Sequence, residues 1–426
     1  MNVLLAGSGA REHTIAWKLV QSPRLGALYV APGNAGTAAL GTNLNVKAAD
    51  IDGILAAAKE CAIELVIVGP EDPLARGLAD RLASEGIAVF GPTRAAAQIE
   101  SSKAFSRDLM ERHAIPMPAA ADFNRRMDAR AYVEAHPGPI VVKASGPALG
   151  KGTIVCDTTA EALAAIDSMM GEDGAFGAAG KTVVIQERLS GREVSAHAFT
   201  DGVTVAPMPF SCDYKRIYDG DGGPNTGGMG TYSPPLWLDE ALELFIHERI
   251  TEATVAAMRE DGTPYAGVLY PGLFITDDSP RVIEYNCRFG DPEAQVLLPR
   301  LESDLLEICW AVATGTLAEC EIRWSTDATV GVVIASGGYP DDYQTGYEIS
   351  GLGSLDEDVH VFHAGTKAGE DGAVLTNGGR VLTVVASAPS LTEARAKAYR
   401  NVQRIHFTNA YYRRDIAAPS QDARVD

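Results

Sequence analysis

The chain has 426 residues, 46% of them hydrophobic and 22% charged, and its 56 acidic against 36 basic residues leave a net charge of −20. That length suits about three domains of ordinary globular composition, and the acidic balance argues against nucleic acid, whose phosphates call for clustered Lys and Arg. The six cysteines show no C-x-x-C pair and no metal-type spacing, no apolar run approaches a membrane span, and the opening MNVLLAGSG lacks the features of a signal peptide. A soluble cytoplasmic protein with reduced, buried thiols is expected.

Residues 1–92 alternate strand and helix. Val3–Ala6, Leu28–Ala31, Leu65–Val68 and Ala88–Phe90 are short apolar runs ending in Gly or Pro, and helical spacing lies between them, as over Pro73–Glu85. Such alternation predicts a doubly wound parallel sheet, whose ligands bind beyond the carboxyl ends of the strands. The loops at those ends are GSGARE (7–12), APGNAG (31–36), GPEDP (69–73) and GPT (91–93). Glu12 stands where a dinucleotide site needs its third glycine, and LYVAPGN ends without a ribose-binding acid, so no nicotinamide cofactor is expected. Backbone N–H groups at the helix start could still hold a lone phosphate, and ordinary turn chemistry also accounts for all four loops.

A helix is predicted from Thr93 to about Arg112, carrying Ser101, Ser102 and Lys103. Pro139–Ser145 and Thr153–Cys156 read as strands and Thr159–Met170 as a helix. Between the strands, GPALGKGT has three residues where a P-loop has four, and no helix follows. It reads as a flap able to fold backbone amides over a polyphosphate, with Lys143 beside it, although a hairpin turn with a solvated lysine fits the loop alone as well. Thr182–Arg188, Glu193–Phe199 and Val203–Pro207 read as a meander. Glu187 and Glu193 flank LSGR, where a hinge could meet an adenine edge and a ribose. Ser211–Pro235 is a long polar loop with little regular pattern and many glycines, the kind usually functional. Its Asp213, Lys215 and Arg216 suit a zwitterionic substrate.

Leu236–Met258 is predicted helical, and Tyr265–Ile275 should pair with Val282–Arg288 as a hairpin through Thr276–Pro280. Strand alternation puts Glu284, Asn286 and Arg288 on one face and Ile283, Tyr285 and Cys287 on the other. A carboxylate, an amide oxygen and a guanidinium in a row suit Mg²⁺ with phosphate oxygens, and by itself the row equally suits a solvated strand face. Residues 291–315 read as one helix with Asp291 and Glu293 in its first turn. Beyond Leu317 come strands at Ala328–Ala335, Val361–Ala364 and Val381–Ala386 and a helix at Thr392–Ile405. His360 and His363 are expected at the surface, and this part reads as a closing domain without a catalytic constellation.

Taken together, these stretches resemble the ATP-grasp ligases and, among them, the phosphoribosylamine–glycine ligase family. The resemblance is carried by GSGAREH (7–13), GPEDPLA (69–75), ESSKAF (100–105), VVKASGPALGKG (141–152), CDYKR (212–216), GPNTGGMGTYSP (223–234) and EYNCRFGDPEAQ (284–295), with GGYP, FHAGT, TNGGRVL and YYRRDI nearer the end. NTGGMG together with RFGDPE sets it apart from biotin carboxylase-like and D-alanine ligase-like proteins. It implies a multidomain α/β fold: a doubly wound substrate domain over 1–102, an ATP-grasp domain over 103–320 with a mobile lid at about 121–190, and a small mixed α/β domain over 321–426.

The implied reaction joins glycine to 5-phosphoribosylamine with ATP and Mg²⁺ or Mn²⁺. It passes through glycyl phosphate and gives glycinamide ribonucleotide, ADP and phosphate in purine synthesis. By motif, Glu284 and Asn286 would bind the metal, and Arg288 would stabilise the transferring phosphoryl group or the glycine carboxylate. Lys103, Lys143, Gly150, Lys151 and Gly152 would hold ATP phosphates, and Glu187, Leu189 and Glu193 the adenosine. Asp213 and Lys215, with Asn225, Thr226, Gly227, Gly228, Met229 and Gly230, would shape the acyl-transfer site. Gly9, Asn34, Gly36, Pro70, Glu71 and Asp72 would receive phosphoribosylamine, and Asp291 and Glu293 would also contact substrate. No nucleic acid or membrane partner is implied. The chain departs from the family pattern at Ala10, Thr14, Ser145, Pro147 and Tyr214, and YPGLFI supplies no acidic metal ligand beside Glu284. Two other readings are a ligase using a different amine and a nucleotide-binding protein without turnover, against which the intact Glu284, Asn286 and Arg288 row argues.

Overall fold

The computed structural model describes residues 1–146, 152–171, 177–277 and 279–418. The four N-terminal apolar runs are strands (Asn2–Gly7, Ala27–Pro32, Leu65–Val68 and Ala88–Phe90), and with Thr42–Asn43 they form one parallel sheet. Alternation divides their side chains between two cores. Leu4, Ala6, Val66 and Val68 pack with Ile54, Leu55, Leu78 and Leu82 of the helices on one face. Val3, Leu5, Leu65 and Ile67 pack on the other with Ile15 and Leu19, and with Leu305, Leu306, Ile308 and Val312 from far along the chain. Fully burying one such side chain is worth about 2 kcal/mol, so the distant helix is an integral part of this sheet's core.

Several predicted helices are broken. Pro73–Glu85 is two helices, Glu71–Ala75 and Leu78–Ala83, because Gly77 adopts φ +89° between them. The helix expected over 93–112 is interrupted at Ser102, whose φ of −138° is extended and whose hydroxyl caps Lys103–Arg112 by accepting from Phe105 N. The helix expected over 291–315 splits into Ala294–Leu297, a 3₁₀ turn at Leu298–Arg300, and Leu305–Thr314, which Asp304 caps. Pro299 cannot donate to a continuing ladder, and Asp291 and Glu293 precede the first helical residue instead of sitting in its first turn. The helix expected from Leu236 begins only at Glu240, capped by Asp239, and continues through a π segment at His247–Glu252 to Glu260.

The expected meander also divides. Val183–Glu187 joins a four-stranded antiparallel sheet in the order Ala120–Phe123, Val183–Glu187, Ile140–Ala144, Thr153–Cys156. Helices Arg126–Ala135 and Thr159–Met170 cover it through Ala129, Val133, Ala162 and Ile166. Arg192–Ser195 and Ala198–Thr200 belong to a different sheet, on Gly267–Ile275. The chain crosses between the two at residues 188–191, where Gly191 has φ +157° and a Cβ would stand 2.2 Å from Ile275 O.

The Ser211–Pro235 loop is more regular than its composition suggests. Arg216–Tyr218 pairs with Gly222–Asn225, while Cys212–Asp213 and Gly230–Ser233 extend the C-terminal sheet through Ala328–Ser336. That sheet continues to Arg380–Ala388 and Val359–His363 and packs against helix Leu391–Val402. His360 and His363 are half-buried and not fully exposed: the His360 ring centroid lies 4.5 Å from that of Trp17 and the His363 ring centroid 5.4 Å from that of His13, both on the first helix. All six cysteines are free, four buried, with Cys61 and Cys320 half-buried.

Gly77 generates a stability test. A Cβ there meets nothing closer than 3.6 Å, so only the left-handed backbone opposes it. Gly77→Ala should lower unfolding stability by roughly 1 kcal/mol, read as a lower urea midpoint with an unchanged far-ultraviolet spectrum.

Candidate active site

The expected hairpin forms, pairing Gly267–Ile275 with Pro280–Asn286, and a bulge inside it sets the site. Gly272 faces Glu284 and Leu273 faces Val282, with Ile283 left over between them. Adjacent residues on the straight strand point to opposite faces and cross-strand partners point the same way. The bulge therefore turns Val282 into the core, where it is fully buried with Leu273, and frees Glu284 for the opposite face. Unbroken alternation would have put Val282 and Glu284 on one side. Gly272 leaves room for the acid, since a Cβ would lie 3.3 Å from Glu284 Cγ.

Glu284 sits among cations. Burial works to raise its pKa, but Lys215, then Lys143, Lys103 and Arg288, outweigh it and bring the carboxyl down to about 2. Lys215 Nζ lies 3.7 Å from Glu284 and makes a closer ion pair with Glu193 on the neighbouring strand. Glu193, Asp213 and Glu284 overcome the burial of the Lys215 ammonium and hold its pKa well above the usual range. Lys143 donates to Ile283 O at 2.8 Å, which anchors the bulge. Its pKa falls to about 8, first through burial, with Glu284 opposing and Lys103 and Lys215 adding to the fall. Lys103 is tied to the end of the Lys143 strand: Lys103 N donates to Ser145 O at 3.0 Å and Ala104 N to Ser145 Oγ at 3.1 Å. Ser145 thus has a local job where it departs from the family pattern. Tyr214 does too, since its hydroxyl accepts from Ala417 N at 2.9 Å and Arg413 lies over its ring.

Asp213 behaves oppositely to Glu284. Burial and the nearby Glu293, Glu193 and Glu284 push its pKa well up against the pull of Lys215, and among the described residues its Oδ1 has no hydrogen-bond partner. Asn286 ends the strand two residues beyond Glu284, and its amide makes no side-chain hydrogen bond among the described residues. Arg288 lies past the strand end and is already engaged. Its Nη2 donates to Glu100 at 2.9 Å and its Nε to Glu71 at 3.2 Å. Glu100 also accepts from Cys287 N at 2.7 Å, so this carboxylate fixes both the backbone and the guanidinium at the end of the strand.

Some of the remaining sequence-selected residues contact one another near this hairpin, and others are held within their own loops. Asp291 pairs with Arg380 at 2.9 Å, and Glu293 accepts from the Tyr270 hydroxyl at 2.6 Å. Gly9 approaches Asp291, with 3.3 Å from a hypothetical Cβ to Oδ2. Thr226 closes the glycine-rich loop by donating to Lys215 O and accepting from Gly228 N, and Met229 is fully buried beneath it. Gly230 starts the strand against Val332, while Asn225 and Gly227 are exposed. Asn34 organises its own loop: its Oδ1 accepts from Gly36 N at 2.8 Å and its Nδ2 donates to Ser8 O and His363 O. Pro70 precedes the short helix that carries Glu71, and Asp72 points outward to Arg76.

Glu187 is exposed and accepts from Ala119 N at 3.3 Å. Leu189 is half-buried at the inter-sheet crossing, and Gly152 accepts from Ala144 N at 2.8 Å. Gly150 and Lys151 lie outside the described residues. Glu12, standing in for a third glycine, accepts from Gly9 N at 2.6 Å and fills the space beside Gly7 and Gly69, so the first helix start is already capped by a carboxylate. Glu100 and Arg380 went unmarked in the sequence. Glu100 lay in plain view inside ESSKAF, one turn before Lys103, and Arg380 inside TNGGRVL, a stretch that marks the last domain without giving the arginine a partner.

Three family models match in succession: the N domain of phosphoribosylglycinamide synthetase over residues 1–100, its ATP-grasp (A) domain over 101–294 and its C domain over 329–419. The chain is 49% identical to a phosphoribosylamine–glycine ligase of Agrobacterium fabrum, over 98% of each chain. It is 48% identical to one of Halalkalibacterium halodurans, over 98% of this chain and 97% of that one. The crystal structure of phosphoribosylamine–glycine ligase from Thermotoga maritima superposes with a TM-score of 0.85 at 32% identity, covering 98% of this chain and 100% of that one.

The Arg288 clamp generates the second test. Glu100→Gln keeps an acceptor for Cys287 N but removes a charge facing a buried guanidinium. We expect a stability loss on the order of 3 kcal/mol and a fall in kcat of about tenfold or more. Unchanged kcat in a folded variant would show that Arg288 needs no such partner.

Proposed function

The chain belongs to the phosphoribosylglycinamide synthetase family, and from that premise we propose that this cleft performs the family's ligation through a glycyl phosphate. The protein is a carbon–nitrogen ligase of purine biosynthesis, joining glycine to phosphoribosylamine. The observation that carries the assignment of the site is the ionised Glu284 beside Asn286, ringed by Lys215, Lys143 and Lys103.

These residues fit a divalent metal. Glu284 stays charged, Asn286 offers a free amide oxygen, and the ammonium of Lys215 near Glu284 marks a spot that already attracts a cation. Among the described residues no three His, Cys, Asp or Glu converge as a metal set. That is the pattern of an ion taking one carboxylate from the protein and other oxygens from phosphate and water. Held by Glu284 and Asn286, Mg²⁺ or Mn²⁺ would neutralise part of the triphosphate charge.

The chain's own residues then carry the positioning. Lys143 and Lys103, with residues 150–152, would hold the phosphates, and Glu187, Leu189 and Glu193 the adenosine. The glycine carboxylate, held near Asn225–Gly230, Asp291 and Glu293, attacks the γ-phosphorus and ADP leaves. The phosphoribosylamine nitrogen, brought in over Gly9, Asn34, Gly36 and the Pro70–Asp72 loop, then attacks the acyl carbon. Phosphate departs, and the proton shed by the amine has an acceptor in Asp213, whose Oδ1 makes no hydrogen bond among the described residues. Lys215 and Arg288 stabilise the charge that develops. Phosphoryl transfer needs alignment and charge stabilisation more than a covalent group on the protein. We place domain divisions near residues 102 and 320, with 121–190 as a lid. The net charge of −20 supports small-molecule substrates without nucleic acid, and no described helix is long and apolar enough to cross a membrane, in keeping with a cytoplasmic enzyme.

Following ADP and phosphate release tests the proposal. Turnover should require ATP, glycine and phosphoribosylamine generated in situ, and turnover with a different amino acid but none with glycine would overturn it. Glu284→Ala should lower kcat by about 10³-fold with the fold intact, and retained activity would remove the metal assignment.

Lys143 gives a pH prediction with a definite sign. Its ammonium is lost as pH rises through about 8, so kcat/KM for ATP should fall above that pH. Lys143→Arg keeps its charge and should flatten the profile. A wild-type profile level to pH 10 would dissociate Lys143 from the phosphates.

A further inference from the structure

Arg380 lies in the C-terminal sheet and has no role in the reaction as assigned above. Its side chain is 19% exposed and reaches two stretches of the cleft at once. One terminal nitrogen donates to Gly227 O and Gly228 O of the NTGGMG loop and, at 2.8 Å, to Asp291 O of the RFGDPE turn. The other pairs with the Asp291 carboxylate at 2.9 Å. Tyr339, from the same domain, accepts from Gly227 N at 3.0 Å. Both backbone polar groups of Gly227 are therefore held by C-terminal side chains, although the residue itself is exposed.

The loop packs closely against both neighbours. A Cβ on Gly227 would lie 2.9 Å from the Arg380 guanidinium carbon, and one on Gly228 would lie 2.4 Å from Pro292. The loop is pressed between the arginine and the turn. A planar fork of donors satisfies three carbonyls and a carboxylate together, which a lysine point charge cannot do.

We infer that Arg380, backed by Tyr339, is a positioning residue that fixes the NTGGMG loop against Asp291 and so shapes the glycine site. The inference rests on the reading that these two stretches bind glycine. It makes the C-terminal domain a working part of the acceptor site, through contacts with the loop and none with the reacting atoms.

Steady-state kinetics of the full chain tests it, with ATP and glycine varied separately. Arg380→Ala should raise KM for glycine about tenfold or more while KM for ATP stays within about twofold. Tyr339→Phe should do the same more weakly, and Arg380→Lys should recover only part of the loss. Equal rises in both KM values, or none, would overturn the positioning role. Should Arg380→Ala fail to fold, Arg380→Lys and Tyr339→Phe carry the same comparison. Asp291→Asn tests the underlying reading. If it leaves the glycine KM unchanged, the site is elsewhere. If it raises that KM and the Arg380 variants do not, the inference alone fails.

Discussion

A carboxylate partly withdrawn from water needs cations and donors to replace the hydration it loses, and the cleft is organised by that requirement at the half-buried Glu284. Three lysines from three separate stretches, Lys103, Lys143 and Lys215, supply the compensation. Each cation then needs a partner of its own. Lys215 takes Glu193, Lys143 takes the carbonyl of Ile283, and Arg288 takes Glu71 and Glu100. The requirement spreads outward until it links the N-terminal loops, both central sheets and the floor hairpin. An isolated acid on a strand would titrate normally, whereas this one is held at a lower pKa because Lys215, Lys143, Lys103 and Arg288 outweigh its burial.

The balance tips the other way a short distance off. Asp213 shares Lys215 with Glu284 but faces Glu293, Glu193 and Glu284, and burial adds to their effect. One cation among four acids cannot hold them all ionised with equal ease. The cleft therefore contains an acid that keeps its charge and an acid inclined to hold a proton. Pushing the pKa values of neighbouring carboxylates apart is how a site divides labour between them.

The sequence made the strands of the N-terminal sheet plain, because four short apolar runs ending in Gly or Pro allow few alternatives. It also put Glu284 and Asn286 on one face, and they share it, although the route differs from simple alternation. Ile283 is squeezed out as a bulge, and no residue preference in RVIEYN announces it. The helices were read too long for a common reason. At Gly77, Ser102 and Pro299 the apolar spacing continues across a residue that breaks the backbone ladder, and backbone geometry overrode periodicity each time. Partners across the fold were the least legible. The N-terminal sheet is covered by Leu305–Thr314, and the glycine-rich loop is riveted by Arg380, contacts between segments roughly 300 and 150 residues apart that no local pattern encodes.

Those distant contacts explain why the last part of the chain is more than a cap. Gly230–Ser233 pairs with Ala328–Ser336 and Cys212–Asp213 pairs with Gly230–Ser233, so the two ends of the glycine-rich stretch are strands of the C-terminal sheet. The loop between them is thus suspended from that sheet while its tip is pinned to the RFGDPE turn. Glycines give the tip close approach but no stiffness of their own, since each has more unfolded freedom to lose than any other residue. Rigidity has to come from outside, and a half-buried arginine fork with a tyrosine hydroxyl supplies it without filling the space the glycines leave open. If the loop holds glycine, as proposed, its precision comes from the sheet it hangs on. A domain without catalytic groups of its own can therefore govern how well the site fits.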